Sequence, residues 1–295
     1  MSKDTKKKKY AAMPRAKDKA ITVLFRGGGD LASAVIHRLW NAGMRVIVCD
    51  LEQPACVRRT VSFCNSIYEK EYTVEGVTAR YIDGIDAIEE TLAADIIPVL
   101  TVPDHVVLKA LNPDVFVDAT ISKKKPNYDR SWAPLVIGLG PEITAGEDAD
   151  IVVETQRGHY LGTLIREGKA LPNTGIPGNI TGHTYDRVLR APCDGDVTCL
   201  HRIGDLVNKG DPVLTVSGEP VRAPIDGIVR GLIAPGFPAK KGLKVGDIDP
   251  RGFENHCYTI SDKGRTISGA VLEAIIRFFV AHGSLRFVKN GCDHA

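Results

Sequence analysis

The chain has 295 residues, a hydrophobic fraction of 43% and a formal charge of +2, enough apolar material for one large domain with an appendage or for two. Residues 1–20 carry eight lysines and arginines against two aspartates, a net of +6, which leaves −4 on the rest. A basic tail on a mildly acidic body argues against nucleic-acid binding, and no apolar stretch is long enough to span a bilayer. The tail lacks the apolar core of a secretory signal and is expected to be disordered and solvated. Seven cysteines fall without a Cys-x-x-Cys pair, the usage of a reduced cytoplasmic protein without a structural metal site. Cys49, at a strand end, reads as core, whereas Cys56 and Cys64 lie in a polar connection where reactivity depends on exposure.

The chain is organised around Val23-Leu24-Phe25-Arg26-Gly27-Gly28-Gly29-Asp30-Leu31-Ala32. A short apolar strand breaks into three glycines, and residues 32–42 follow with helical character. Gly27-x-Gly29-x-x-Ala32 has the form of a dinucleotide-binding turn. The first glycine makes the bend, the second lets N–H groups approach a pyrophosphate, and the small third residue lets helix and strand pack closely. A second apolar run, residues 46–49, ends in Asp50, where an acid can hold a ribose hydroxyl. Arg26, Gly27, Gly28, Gly29, Asp30, Leu31, Ala32 and Asp50 are therefore the candidate cofactor-binding residues.

After Asp50 comes Pro54, then Arg58-Arg59 and Val61-Ser62-Phe63 with alternating character. Residues 77–82 alternate like a strand, and residues 85–94 and 104–111 read as helical. Residues 96–102, 115–119 and 135–139 are apolar runs. This alternation is the pattern of a doubly wound α/β sheet, whose ligands sit at the carboxyl ends of its strands. Lys123-Lys124-Lys125 follows one such end and reads first as a solvated loop, with contact to an anionic ligand as the other reading. Residues 151–153 form a further strand that leads into Glu154-Thr155-Gln156-Arg157-Gly158-His159. Glu154, Arg157 and His159 are candidate catalytic residues there, an acid, an arginine able to hold a phosphate or carboxylate, and a proton carrier. The competing reading is a polar turn in which Arg157 pairs with Glu154. Residues 172–178 are turn chemistry and mark a connector or binding loop.

An internal repeat comes next. Arg190-Ala191-Pro192-Cys193-Asp194-Gly195-Asp196-Val197 returns 32 residues later as Arg222-Ala223-Pro224-Ile225-Asp226-Gly227-Ile228-Val229, with six of the eight positions identical. Gly204, Lys209 and Gly210 map in the same register to Gly236, Lys241 and Gly242. Two interlocked halves of a small all-β unit follow from this. It resembles the barrel-sandwich hybrid of biotinyl and lipoyl carriers, but the hairpin Ser217-Gly218-Glu219-Pro220 has no lysine to carry biotin or lipoate. Residues 268–282 read as an amphipathic helix with Val271, Leu272, Ile275, Ile276 and Phe279 in one stripe, stopped by Gly283. That stripe packs on the body or on a second copy, so a homo-oligomer stays open.

The division expected is a basic tail (1–20), a Rossmann-like α/β domain with its connector (21–187), a carrier-like β module (188–260), and a C-terminal helix and tail (261–295). Taken together, residues 26–32, 58–63, 154–159, 172–178 and 244–251 resemble the accessory or maturation proteins of selenium-dependent molybdenum hydroxylase systems. The resemblance runs from about residue 21 to about residue 282. It implies a cytoplasmic maturation factor whose partners are a molybdenum hydroxylase subunit and other cofactor-maturation proteins. A pyrophosphate cradle suits the pterin dinucleotide form of the molybdenum cofactor by the same physics that suits NAD. Two other readings are an NAD-dependent oxidoreductase, in which Asp50 holds the ribose and His159 handles the proton, and a non-catalytic scaffold that docks the hydroxylase.

Overall fold

The computed structural model describes residues 20–176 and 178–285. The expected disordered tail therefore lies, apart from Ala20, outside the described residues. The first two-thirds of the chain build strands β1 (Thr22–Arg26), β2 (Arg45–Cys49), β3 (Glu71–Val74), β4 (Val77–Tyr81), β5 (Ile97–Leu100), β6 (Val115–Asp118) and β7 (Leu135–Leu139). They continue with β8 (Thr144–Ala145), β9 (Ile151–Val153), β10 (Leu164–Ile165) and β11 (Gly168–Lys169). Between them run helices α1 (Asp30–Asn41), α2 (Ser66–Glu69), α3 (Ile88–Ala93) and α4 (Asp104–Leu111). Nine of the strands form one sheet in the order β10-β9-β7-β6-β1-β2-β5-β4-β3. All its pairings are parallel except those of β3 with β4 and of β9 with β10. The inner strands β5, β6, β7 and β9 are buried at every position, as strands covered on both faces must be.

Residues 61–63, which alternate in the sequence, are not a strand. Val61 ends one 3₁₀ turn, Arg59–Val61, and Phe63 begins another, Phe63–Asn65, with Ser62 extended between them. The reason is tertiary: the Phe63 N–H donates to Ser33 Oγ (2.8 Å) and the Cys64 N–H to the Gly28 carbonyl (3.0 Å), which folds this segment down on the glycine turn.

The β module comprises β12 (Val188–Arg190), β13 (Gly195–Cys199), β14 (Leu206–Val207), β15 (Pro212–Val216), β16 (Glu219–Arg222), β17 (Gly227–Leu232), β18 (Pro238–Ala239) and β19 (Lys244–Asp249). They make two four-stranded sheets, β12-β19-β17-β14 and β16-β15-β13-β18. Moving each strand four places along the chain turns one order into the other, so each half of the repeat contributes two strands to each sheet. The bonds are equally reciprocal. Asp194 Oδ1 accepts from the Lys241 N–H (2.8 Å) and Asp226 Oδ1 from the Lys209 N–H (2.6 Å). Gly242 N–H bonds the Ala191 carbonyl and Gly210 N–H the Ala223 carbonyl, both at 2.8 Å. The core of the module is its own, with Leu189, Val213, Val229 and Val245 at its centre.

After β19 come α5 (Asn255–Tyr258) and α6 (Asp262–Ala281). The helix α6 begins six residues before the start expected from periodicity, because Ser261 Oγ caps it by accepting from the Gly264 N–H. The chain has by then returned to the first sheet: Ile267, Val271, Ile275 and Phe279 share one core with β1, α1 and β7. The C-terminal helix is thus part of the α/β body and not an appendage. Among the described residues, no helix is long and apolar enough to cross a membrane.

Candidate functional site

The glycine turn forms as its residues require. Gly27 sits at φ +92°, its N–H donates to the Cys49 carbonyl (2.7 Å), and a Cβ there would press on Thr120. Gly28 is wholly engaged: its N–H donates to Asp50 Oδ2 (2.7 Å), and its carbonyl accepts from Ser33 Oγ (2.9 Å) and the Cys64 N–H. Gly29 differs. Its φ is an ordinary −67°, no side chain caps α1 from this position, and a Cβ would meet nothing within 4 Å. The first turn of α1 therefore opens into free space, and Asp30 and Leu31 line that space. Ala32 is buried between helix and sheet.

Two of the expected cofactor contacts go elsewhere. Arg26 bonds Asp104 and Asn127, and its guanidinium lies 5.0–5.6 Å from the ring centroids of Phe116, Tyr128 and Trp132. Such a cage fixes the arginine as a brace beneath the strand ends. Asp50 accepts from the Gly28 and Leu51 N–H groups (2.7 and 2.8 Å). Burial pushes its carboxyl up, against the pull of those two bonds.

The open space beside α1 is the mouth of a cleft of about 1340 Å³ between the α/β body and the β module. Its described lining carries nine lysines and arginines against three aspartates, Asp30, Asp247 and Asp262. From the body come Arg58, Lys123, Arg157 and Lys263; from the module and the turn before it come Arg187, Arg190, Arg230, Lys244 and Arg251. Lys123 is the one lysine of residues 123–125 to join the lining, and Lys124 and Lys125 are exposed outside it. Neither Asp50 nor any of Gly27, Gly28 and Gly29 lines the cleft.

Arg58 ties the two units together. It donates through Nη2 to the His256 (2.8 Å) and Thr259 (3.2 Å) carbonyls and stands 4.0 Å from Asp30. Arg59 Nε bonds the Leu232 carbonyl on β17 (2.9 Å). Four side chains of the lining, Arg58, Arg187, Asp247 and His256, each hold a buried nitrogen or oxygen with no partner. Buried polar atoms normally find partners, so four such atoms on the side chains of one cleft set it apart from the rest of the described surface. Burial also holds the Lys263 amine below its ordinary range.

The three candidate catalytic residues separate. Glu154 is buried, with Oε1 accepting from the Gln156 N–H and Oε2 from the Leu171 N–H, each at 2.7 Å. It anchors the connector to the end of β9 and does not reach the cleft. Arg157 does reach it, paired in fork geometry with Asp262 at 2.6 and 2.7 Å and not with Glu154. That pairing holds the Asp262 carboxyl well below the usual carboxylate range. His159 is exposed, edge-on to Tyr160, outside the lining.

Four of the six described thiols are buried, those of Cys49, Cys56, Cys64 and Cys257. All six described cysteines are free, and Cys56 and Cys64 are buried where the sequence had suggested a polar connection. A hydrogen bond with the Cys56 thiol, together with burial, pushes the Cys64 thiol well up, and burial lifts Cys49 to about 12. Thiolates there are disfavoured at neutral pH. Among the described residues no cluster of three or more His, Cys, Asp or Glu side chains is placed to hold a metal ion.

Sequence reasoning assigned no site role to Arg58, Arg187, Arg190, Arg230, Lys244, Asp247 or Lys263. The signal present was the five separate motifs, whose side chains meet only after the module folds back on the body. Residues 26–32, 58–63, 154–159, 172–178 and 244–251 all contribute to this single lining.

No protein-family model matches the chain. Over 268 residues it is 43% identical to the uncharacterized protein YqeB of Escherichia coli (strain K12), an alignment covering 91% of this chain and 49% of that protein. The chain thus spans about half the length of this curated relative. Among solved structures, the apo ectoine utilization protein EutE (DoeB) from Ruegeria pomeroyi overlaps at a TM-score of 0.22 and 12% identity, over 78% of this chain and 86% of that one. A succinylglutamate desuccinylase/aspartoacylase from Rhodobacter sphaeroides overlaps at 0.26 and 16%, over 78% and 85%. Overlaps this shallow carry no argument about fold or activity.

Proposed function

We propose that the chain is a cytoplasmic accessory protein in the maturation of a selenium-dependent molybdenum hydroxylase. In this reading it holds the pterin dinucleotide form of the molybdenum cofactor in the cleft while sulfur or selenium is added or the cofactor is handed to its partner. The observation that carries the reading is convergence: the five motifs that resemble such proteins put their side chains into one cationic cleft.

The architecture supports it. The order β5-β2-β1-β6-β7-β9 matches the 3-2-1-4-5-6 order of Rossmann-like dinucleotide-binding sheets, and the cleft opens at the carboxyl end of β1. The swapped sheets of the β module match the interlocked plan of a barrel-sandwich hybrid. Its joining turn is Ser217-Gly218, with positive φ at both residues and no lysine, so biotin and lipoate have no attachment point there.

The residues present fit such a cofactor. A diphosphate is favoured beside the open first turn of α1, with Arg58 and Lys263 as counter-charges in place of the water it leaves. When bound, the cofactor supplies the metal at which sulfur or selenium is exchanged. The chain's own part is to hold the ligand between two walls, orient it through fixed guanidinium groups, and keep bulk water from its buried side. Each Asp50 carboxylate oxygen already accepts one N–H bond, from Gly28 or Leu51, and Asp50 does not line the cleft, which counts against the ribose contact of the NAD reading.

The test is calorimetric titration of the full chain with pterin dinucleotide extracted from a hydroxylase, and with NAD. The parent is expected to bind the pterin ligand and to prefer it to NAD. Gly29→Val is expected to fold, since φ at Gly29 is ordinary and a Cβ meets nothing, and to weaken binding by crowding the open first turn of α1 next to the lining residues Asp30 and Leu31. Preference for NAD, or a folded Gly29→Val protein that binds as tightly as the parent, overturns the reading.

A further inference from the structure

The β module brings a charge arrangement that its own stability does not call for. On β12 and β19, Arg190 and Lys244 are directly paired across antiparallel strands, and both line the cleft. Like charges placed opposite each other on a sheet destabilise it unless a counter-ion lies between them. Behind them Arg187 donates Nη1 to Asp247 Oδ2 (2.9 Å) and Nη2 to the Gly178 carbonyl (3.0 Å). Lys244 Nζ stands 3.3 Å from the same Asp247 oxygen. One carboxylate thus serves two cations, and Arg190 adds a third positive charge. A short way along the wall, Arg230 and Arg251 share Asp249, at 3.5 and 2.6 Å. Asp262, facing from α6, is taken up by Arg157. Five cations therefore face two aspartates on this wall, and the excess is held next to buried, unpartnered polar atoms, Arg187 Nε and Asp247 Oδ1. Arg187 and Asp247 are 6% and 4% exposed, so this is a constructed recess and not a loose surface patch.

We propose that this wall is an oxyanion subsite, in which Arg190 and Lys244 bracket a tetrahedral dianion and Arg187, set by Asp247, lies behind it. The subsite rests on the reading of the cleft as a ligand site, and extends it: the ligand carries a second anionic group, a phosphate ester or a metal oxyanion, apart from the one at α1. A module of carrier-like plan, with no attachment lysine on its hairpin, then serves as the second jaw of a binding cleft. Both groups share the chemistry of several oxygen acceptors around a compact double negative charge, which guanidinium and ammonium donors match.

The full chain is titrated with inorganic phosphate and, separately, with molybdate, at low ionic strength and again at high salt, with thermal unfolding as the folding control. The parent is expected to bind at least one anion, with affinity falling as salt rises. Arg190→Gln combined with Lys244→Gln is expected to weaken it at least tenfold. Lys240→Gln removes an exposed lysine of the same module outside the cleft and is expected to leave binding unchanged. Preference for phosphate points to an ester group, and preference for molybdate to a metal oxyanion; either supports the subsite. No binding by the parent, or equal binding by the folded double variant, overturns it. If the oxyanion binds here but the pterin dinucleotide does not bind at all, the subsite stands and the maturation reading falls. If the dinucleotide binds and the double variant is indifferent to both ligands, the subsite falls and the maturation reading stands.

Discussion

The two halves of the β module share a backbone and differ in charge. Every strand of one half has its mate 32 residues away, in the opposite sheet, with the same turns closed by the same bonds. Arg190 and Arg222 even make the same bond, each donating Nη1 to a glycine carbonyl at 2.9 Å. Yet Arg190 faces Lys244 across its strand pair, where Arg222 faces Pro212. In the same register Arg230 and Asp247 stand where the other half has Thr198 and Thr215, and Asp249 where it has Ser217. The repeated residues are those that close turns and fill the core. Of the unrepeated charges, Arg230, Lys244 and Asp247 line the cleft and Asp249 lies beside them, paired with Arg230 and Arg251.

The contrast breaks hardest at Asp247. Asp247→Ala strips the carboxylate from buried Arg187 and from Lys244, and is expected to cost about 3–5 kcal/mol, the range for removing one partner of a buried ion pair. Thr215→Ala, at the mate position, is expected to cost under about 1 kcal/mol. Urea unfolding of both variants, with slopes compared, checks this; equal losses dissolve the distinction between the halves.

A second comparison uses the turn glycines Gly195 and Gly227, at φ +146° and +155°. A Cβ at Gly227 would lie 2.5 Å from the backbone oxygen of Asp249, whereas one at Gly195 collides with the Ser217 side chain. Both alanine variants are expected to lose more than about 1 kcal/mol. Gly227→Ala is expected to lose more, because a carbonyl within a sheet cannot swing aside as a serine side chain can. A larger loss at Gly195 in thermal unfolding contradicts this.

The acid response separates the halves further. Burial pushes the Asp249 carboxyl up, but bonds from the Arg251 side chain and N–H outweigh it and hold it below the usual carboxylate range. A depressed folded-state pKa gives stability that is present above the unfolded value of about 3.9 and lost as pH falls through the folded one. Melting temperatures of parent and Asp249→Asn taken downward from about pH 5 are expected to converge as acid is added. Ser217→Ala should leave the slope unchanged. A gap between parent and Asp249→Asn that stays constant down to low pH counts against the ion-paired account.

The smallest effect is expected at Lys244. In the absence of ligand, Lys244→Thr relieves the cross-strand repulsion with Arg190 and is expected to stabilise the protein by roughly 0.2–1 kcal/mol. A loss of stability in a low-salt melt would show that Lys244 serves the fold through Asp247 instead.

Much of this architecture is legible along the chain because its signals are local. Three glycines after an apolar run gave the β1–α1 turn, apolar runs gave the inner strands, and six identities in eight gave the swapped module. Where the signal was tertiary it misled. The segment at residues 61–63 has alternating character but folds into turns, where Ser33 Oγ and the Gly28 carbonyl accept from the Phe63 and Cys64 N–H groups. Asp50 and Arg26 have the residue types of ligand contacts, but their neighbours in space engage them first. Glu154 and Arg157 are three residues apart, yet one bonds the connector and the other a helix over a hundred residues away. The cleft itself has no contiguous signature, since its cations come from segments joined only when the module returns to the body.

The measurement that bears most directly on the central claim is hydrogen–deuterium exchange of the full chain with and without pterin dinucleotide. The account predicts that protection gathers at the start of α1, in the connector around residues 172–176, and along β12 and β19, on both walls of the cleft at once. Protection confined to the segment around Asp50 and β2, or none on the β module, would contradict it.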